Sequence, residues 1–277
     1  METQAVQLRH NHQGFVNRFA AACQADERVV AAFLGGSYVK GMADAYSDLD
    51  LSLITTDAAY AEFCATREAF LRLLGEPVFV EDFDNPNIVF FIYPDDTEGE
   101  LWFGSVSHLE HLHCGPYRVL LDKTGILAGV VFPEPEADPA GQRETLRRQI
   151  TWFWHDLSHF ITAMRRGQLW WAHGQLNDLR HSCMNLARLG HTFTAHAEGY
   201  EKVEQALPAA HLAPLHATYC PLERGAMLEA AYIILRFYQD LAPRLARMHG
   251  LAYPDALEYV MIERLTHMLN IAPTRRQ

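Results

Sequence analysis

One stretch constrains this chain more than any other: Leu34-Gly-Gly-Ser-Tyr-Val-Lys-Gly-Met-Ala-Asp-Ala-Tyr-Ser-Asp-Leu-Asp-Leu-Ser-Leu-Ile54. It reads as the end of an apolar strand, a glycine turn, a short helix, and a second strand that carries two carboxylates. Gly35 and Gly36 permit a turn tight enough for an anion to approach the backbone. Ser37 opens the helical turn that follows, with its hydroxyl and free N–H groups available to a phosphate. Asp48 and Asp50 stand two residues apart in a strand, so both point to one face. A phosphate cradle facing a carboxylate pair is what a metal-bound nucleotide needs, because hard divalent cations take carboxylate and phosphate oxygens together.

The rest of the sequence limits what can surround this motif. With 277 residues, 49% of them hydrophobic, the chain can bury one large or two ordinary cores. Its apolar runs are broken well short of the roughly 20 residues a membrane helix requires. The first residues lack a basic region followed by an apolar segment, so no secretory signal and a cytoplasmic location are expected. Five scattered cysteines with no CxxC pair fit reduced, mostly buried thiols. A net charge of −11 disfavours non-specific binding to nucleic acid and suits a cationic small substrate.

Hydrophobic periodicity divides the chain in two. A helix is expected over 4–25, and strands over Val29–Leu34 and Asp48–Ile54. A helix over Asp57–Leu74 follows, ending at Gly75-Glu-Pro77. Strands over Val78–Val80 and Asn87–Tyr93 come next, the second pairing as a hairpin with Glu100–Ser105 across the turn Pro94–Gly99. A short helix near Val106–His113 and a strand at Arg118–Leu121 complete the unit. The proline- and acid-rich stretch Phe132–Gly141 reads as the boundary between domains at 1–135 and 140–277. Beyond it everything reads as helix: Arg143–Arg166, Leu169–Leu189, Ala197–Leu207, Leu222–Met248 and Pro254–Leu269, an antiparallel bundle.

The motif resembles the nucleotidyltransferase superfamily, in which an apolar-Gly-Gly/Ser-Ser turn is followed about ten residues later by Asp-apolar-Asp. The resemblance sharpens over Ala25-Asp-Glu-Arg-Val-Val-Ala-Ala-Phe-Leu-Gly-Gly-Ser-Tyr-Val-Lys-Gly41, Ser47-Asp-Leu-Asp50, Gly99-Glu-Leu-Trp-Phe103 and Leu120-Leu-Asp-Lys-Thr-Gly125. These segments look like the lincosamide nucleotidyltransferases and their aminoglycoside-modifying relatives. Arg165-Arg-Gly-Gln-Leu169 and Asn177–Leu189 extend the likeness more weakly into the helical half. The resemblance implies an α+β protein: a polymerase-beta-like mixed sheet followed by a helical bundle. It implies transfer of a nucleoside monophosphate from a nucleoside triphosphate to an antibiotic hydroxyl, with Mg²⁺, often by a homodimer that holds its substrate between domains. Carried residue by residue, Asp48, Asp50 and Glu100 would be the catalytic carboxylates and metal ligands. Gly36, Ser37, Lys40 and Ser47 would hold the nucleotide. Glu100 is either the third ligand or the general base, with Glu98 as its substitute. Lys40 departs from the arginine that many relatives carry there, a change that weakens bidentate contact with phosphate.

The acceptor pocket must come largely from the helical half, where Trp152, Trp154, Asp156 and His159 share one helix and Trp170, Trp171, His173, Asp178 and Arg180 the next. Trp102, Asp156, His159 and Asp178 are the candidate acceptor contacts, since aromatic walls with a few acids suit a sugar-bearing amine. His155 and His159 mimic an HExxH zinc pair, but Asp156 stands where glutamate is needed and no third ligand follows. His108, His111, His113 and Cys114 form a second histidine cluster, in a chain with 15 histidines. Two rival functions are modification of a protein partner and nucleotide binding without catalysis.

Overall fold

The computed structural model describes residues 8–134, 138–193 and 200–269. The chain divides into two compact units, Met1–Glu136 and Ala137–Gln277.

The first unit is built on a six-stranded mixed sheet. Helix α1 (His10–Ala25) leads into β1 (Val29–Leu34), the short helix α2 (Gly36–Lys40) and β2 (Leu49–Thr55). Helix α3 (Tyr60–Arg72) is followed by β3 (Phe79–Glu81), β4 (Ile88–Ile92), β5 (Glu98–Ser105), a 3-10 turn (Val106–His111) and β6 (Arg118–Asp122). The strand order is β3-β4-β5-β2-β1-β6. All neighbours are antiparallel except β2 and β5, which run parallel with Asp50 beside Glu100 and Ser52 beside Trp102.

Strand alternation sorts the side chains. Leu49, Leu51 and Leu53 of β2 and Leu101 and Phe103 of β5 join Phe15, Phe19, Phe63 and Phe70 of α1 and α3 in one core. Asp50, Ser52, Glu100 and Trp102 therefore occupy the opposite face. Part of that face is covered by a smaller cluster, in which Phe33 and Ile54 pack with Leu127 and Phe132. A bulge between Val29 and Ala31 puts Val30 and Ala31 on this same side.

The second unit is helical. It comprises α4 (Pro139–Arg165), α5 (Leu169–His191), α6 (Val203–Ala206), α7 (Ala209–His216), α8 (Arg224–Met248) and α9 (Asp255–Leu269). Gly167, at φ +68, closes the α4–α5 hairpin, a left-handed conformation that glycine adopts without strain. The core centres on Tyr238, whose ring stacks on Phe153 at 3.7 Å and whose hydroxyl donates to the Ile150 carbonyl at 2.8 Å.

The helix expected over 4–25 is α1, which begins at His10, residues 4–7 lying outside the described ones. Several other boundaries also differ from expectation, three of them for clear local reasons. Helix α4 starts at Pro139 rather than Arg143, because the Asp138 carboxylate caps it by accepting from Gly141 N at 2.8 Å and proline suits the first turn. Phe132 belongs to the first unit rather than to a linker, buried against Phe33 and Tyr117. The single helix expected over Ala197–Leu207 is the short α6, its first three residues lying outside the described ones, and Pro208 starts the separate α7, which periodicity did not reveal.

Phe15 is fully buried, 5.2 Å from Phe91 and 4.9 Å from Tyr93 between ring centroids. Phe15→Ala is expected to destabilise the chain by about 3–5 kcal/mol, read from the midpoint of urea denaturation.

Candidate active site

The glycine turn and the carboxylates meet as the spacing predicts. Gly35 N donates to the Asp50 carbonyl at 2.8 Å, so the chain leaves β1 directly beside β2. Gly36 sits at φ +63, and a Cβ there would overlap the Asp50 carboxylate. Glycine is thus required twice, by backbone conformation and by the approach of the acid. The Ser37 backbone N–H donates to the Asp50 carboxylate. The Ser37 hydroxyl is buried and has no hydrogen-bond partner among the described residues. A buried hydroxyl without a partner is costly in an isolated fold and is well explained by a ligand oxygen that completes it.

Asp48 immediately precedes β2, and Asp50 and Glu100 are paired across the parallel β2–β5 ladder. Burial pushes the Asp50 carboxyl up to about 6, with the Asp48 and Glu100 charges adding to the rise and Lys40 opposing it. A buried carboxyl raised further by two neighbouring acids is a group whose charged form a nearby cation would favour. Lys40, exposed at the end of α2, lies close enough to act on Asp50 electrostatically. Trp102 Nε1 donates to Glu100 Oε2 at 3.0 Å, which orients that carboxylate. Trp102 also lines a small groove of about 260 Å³ with Tyr60, Asn87, His108 and His111.

The donor set suits Mg²⁺. Among the described residues no three His, Cys, Asp or Glu side chains converge as a ready-made metal cage. Mg²⁺ does not need one, since it is held by one or two carboxylates and completes its shell with phosphate oxygens and water.

Other candidates fall elsewhere. Ser47 closes a turn: its Oγ accepts from Asp44 N at 2.8 Å and bonds Asp44 Oδ1 at 3.2 Å, so the hydroxyl is engaged within its own loop. Asp156 and Asp178 come together from α4 and α5 in a groove of about 490 Å³ walled by Trp152, Gln149 and His181. Burial, and then the Asp156 charge, raise the Asp178 carboxyl above its ordinary value. His159 does not line that groove; its ring lies 4.1 Å from His155 and 5.7 Å from Trp171. Among the described residues Arg180 pairs with no carboxylate; it donates to Thr218 Oγ1 and O and lies 4.1 Å over the Tyr219 ring. The histidines near 110 have separate tasks, His108 bonding Ser105 and Ser107 and His113 donating to the Pro116 carbonyl.

Motif reading missed one cluster, Arg9, His12 and Tyr38, which holds the loop between the turn and Asp48. The signal available in the sequence is His12 at helical spacing with Phe15 and Phe19, a polar ring on an apolar stripe.

A family model described as streptomycin adenylyltransferase matches residues 10–268. Among solved structures, the chain is similar to an aminoglycoside 6-adenyltransferase from Bacillus subtilis, with 14% identity and a TM-score of 0.44 over 94% of this chain and 99% of that one. No curated protein sequence matches it.

The raised Asp50 carboxyl has a consequence for stability. The fold lifts this group above its ordinary 3.8, so folding favours the protonated acid. That contribution is fully present below the unfolded value and is lost as pH rises through about 6. In chelator-treated buffer near neutral pH, Asp50→Asn is therefore expected to be more stable than the wild type by roughly 1–2 kcal/mol, with the difference vanishing in acid. Thermal melts across pH measure it.

Proposed function

The chain belongs to the streptomycin adenylyltransferase family and is a nucleotidyltransferase, and on that premise we propose that it transfers adenylyl from ATP to a hydroxyl of an aminoglycoside. The observation that carries the reading is the half-buried group of Asp48, Asp50 and Glu100 beside the unpartnered Ser37 hydroxyl. Nucleotidyl transfer asks a protein mainly for positioning and charge compensation, and this arrangement supplies both.

In this mechanism Ser37 donates its hydroxyl to a triphosphate oxygen, and Gly36 lets the phosphates approach the backbone. Lys40 adds a point charge at the exposed rim. Asp48 and Asp50 would hold Mg²⁺, which neutralises phosphate charge and polarises the α-phosphate. The acceptor oxygen bonds to the α-phosphorus, the bond from phosphorus to the bridging oxygen breaks, and pyrophosphate leaves. Glu100 takes the hydroxyl proton, with its Oε2 steadied by Trp102 and its other oxygen available. The α4–α5 groove supports an amine-bearing acceptor, because an ammonium between Asp156 and Asp178 would relieve the repulsion that raises Asp178.

The test is pyrophosphate release with Mg²⁺, each of four nucleoside triphosphates, and panels of aminoglycosides and lincosamides. Release is expected with ATP and an aminoglycoside. Release with lincosamides alone would reassign the acceptor, and none with any acceptor would sink the reading. Asp48→Asn is expected to lower kcat by at least about 100-fold while the chain stays folded. Asp178→Asn is expected to raise the acceptor KM about tenfold with kcat nearly unchanged, as loss of uniform binding does.

A further inference from the structure

The loop from Gly41 to Asp48 joins the Ser37 turn to the first carboxylate, and it contains neither helix nor strand. Its backbone carbonyls have no regular ladder to satisfy them. Two are held by one side chain: Arg9 donates from Nη1 to the Ala45 carbonyl at 2.7 Å and from Nη2 to the Ser47 carbonyl at 3.1 Å. Ser47 is the residue before Asp48. Nη2 also reaches His12 Nε2 at 2.5 Å, and His12 Nδ1 lies 2.8 Å from the Tyr38 hydroxyl. Arginine can only donate, so Nε2 accepts and the ring proton sits on Nδ1, donated to Tyr38. Tyr38 directly follows Ser37.

The chain of bonds therefore runs from the residue beside the phosphate turn, through α1, to the residue beside the metal carboxylate. His12 is fully buried and Tyr38 nearly so. Burial and the Arg9 charge push the His12 ring down to about 4, against smaller opposing effects of Asp95 and Asp48, so it stays neutral near physiological pH. The base of the strut is itself anchored, because Asn11 Nδ2 donates to the Asp95 carbonyl at 2.9 Å at the β4–β5 turn. An apolar residue would fill the His12 site at lower desolvation cost. What the polar chain adds is directional geometry.

We propose that Arg9, His12 and Tyr38 form a positioning strut that sets the separation of the Ser37 cradle from Asp48, and so governs affinity for the metal–triphosphate rather than for the acceptor. This rests on the nucleotidyltransferase reading. None of the three residues touches the reacting atoms; each acts through the loop it holds.

The test uses the full chain as wild type and as Arg9→Met, His12→Ala, His12→Gln and Tyr38→Phe. Two readouts need no turnover: hydrogen exchange at the amides of residues 41–48, and calorimetric binding of Mg²⁺ with a non-hydrolysable nucleoside triphosphate in the absence of acceptor. Arg9→Met and His12→Ala are expected to speed exchange in that loop and to weaken binding about 10- to 100-fold, the range typical of groups that orient metal ligands. His12→Gln, which keeps an acceptor for Arg9, should recover part of the loss. Tyr38→Phe removes one hydroxyl without emptying the core and should show a smaller loss of the same kind. In turnover, the acceptor KM should stay within about twofold of wild type. Wild-type loop exchange and affinity in the folded variants, with the wild type itself binding, would overturn the strut alone. A wild type that binds no metal–nucleotide would overturn the nucleotidyltransferase reading, and this inference with it.

Discussion

Asp50 is held against the backbone of Gly36, beside two other acids, on a sheet face where water is partly excluded. Much of the first unit serves that placement. The approach requires a residue without Cβ, and the conformation requires positive φ, so the same glycine answers both. Parallel pairing of β2 with β5 puts Glu100 beside Asp50, and strand alternation sends the leucines between them into the opposite core. The acids gain their mutual repulsion from the same register that gives the sheet its apolar face. A one-residue slip would exchange the two faces and lose core and site together.

The helical unit solves a different problem. Its long hairpin packs around the central Tyr238–Phe153 stack in one apolar core. The two acids it brings together, Asp156 and Asp178, lie in a groove at its surface. The Asp156 charge adds to burial in raising the Asp178 carboxyl, an electrostatic cost that the packing of α4 against α5 sustains. Here too the feature of interest is a repulsion that the rest of the packing sustains.

Most of the fold of the first unit could be read directly. Glycine turns, β-branched runs and a hairpin are local signals, and the strands fall within two residues of expectation. The approach of the glycine turn to the aspartates was readable because these residues are compressed into one short stretch. Legibility failed where partners are distant in sequence or where a residue has two plausible tasks. Trp154 and Arg180 read as pocket residues but are buried, Trp154 against Tyr238 and Arg180 against Thr218. Asp156 and His159, three apart on one helix, part company because α5 offers Asp178 to one and Trp171 to the other. His12 was hidden because its partners, Arg9 and Tyr38, come together only when α1 packs against the sheet.

The sequence alone determined the class of chemistry. A glycine turn, a serine and two aspartates at strand spacing are a local pattern, and local patterns survive without knowledge of packing. Tertiary structure decided which of the remaining polar groups matter. Whether a histidine is a strut or a surface residue, and whether an aspartate faces another aspartate or water, depends on elements far apart in the chain. Those contacts form only when burial of apolar faces brings the elements together, and no spacing within one segment encodes them.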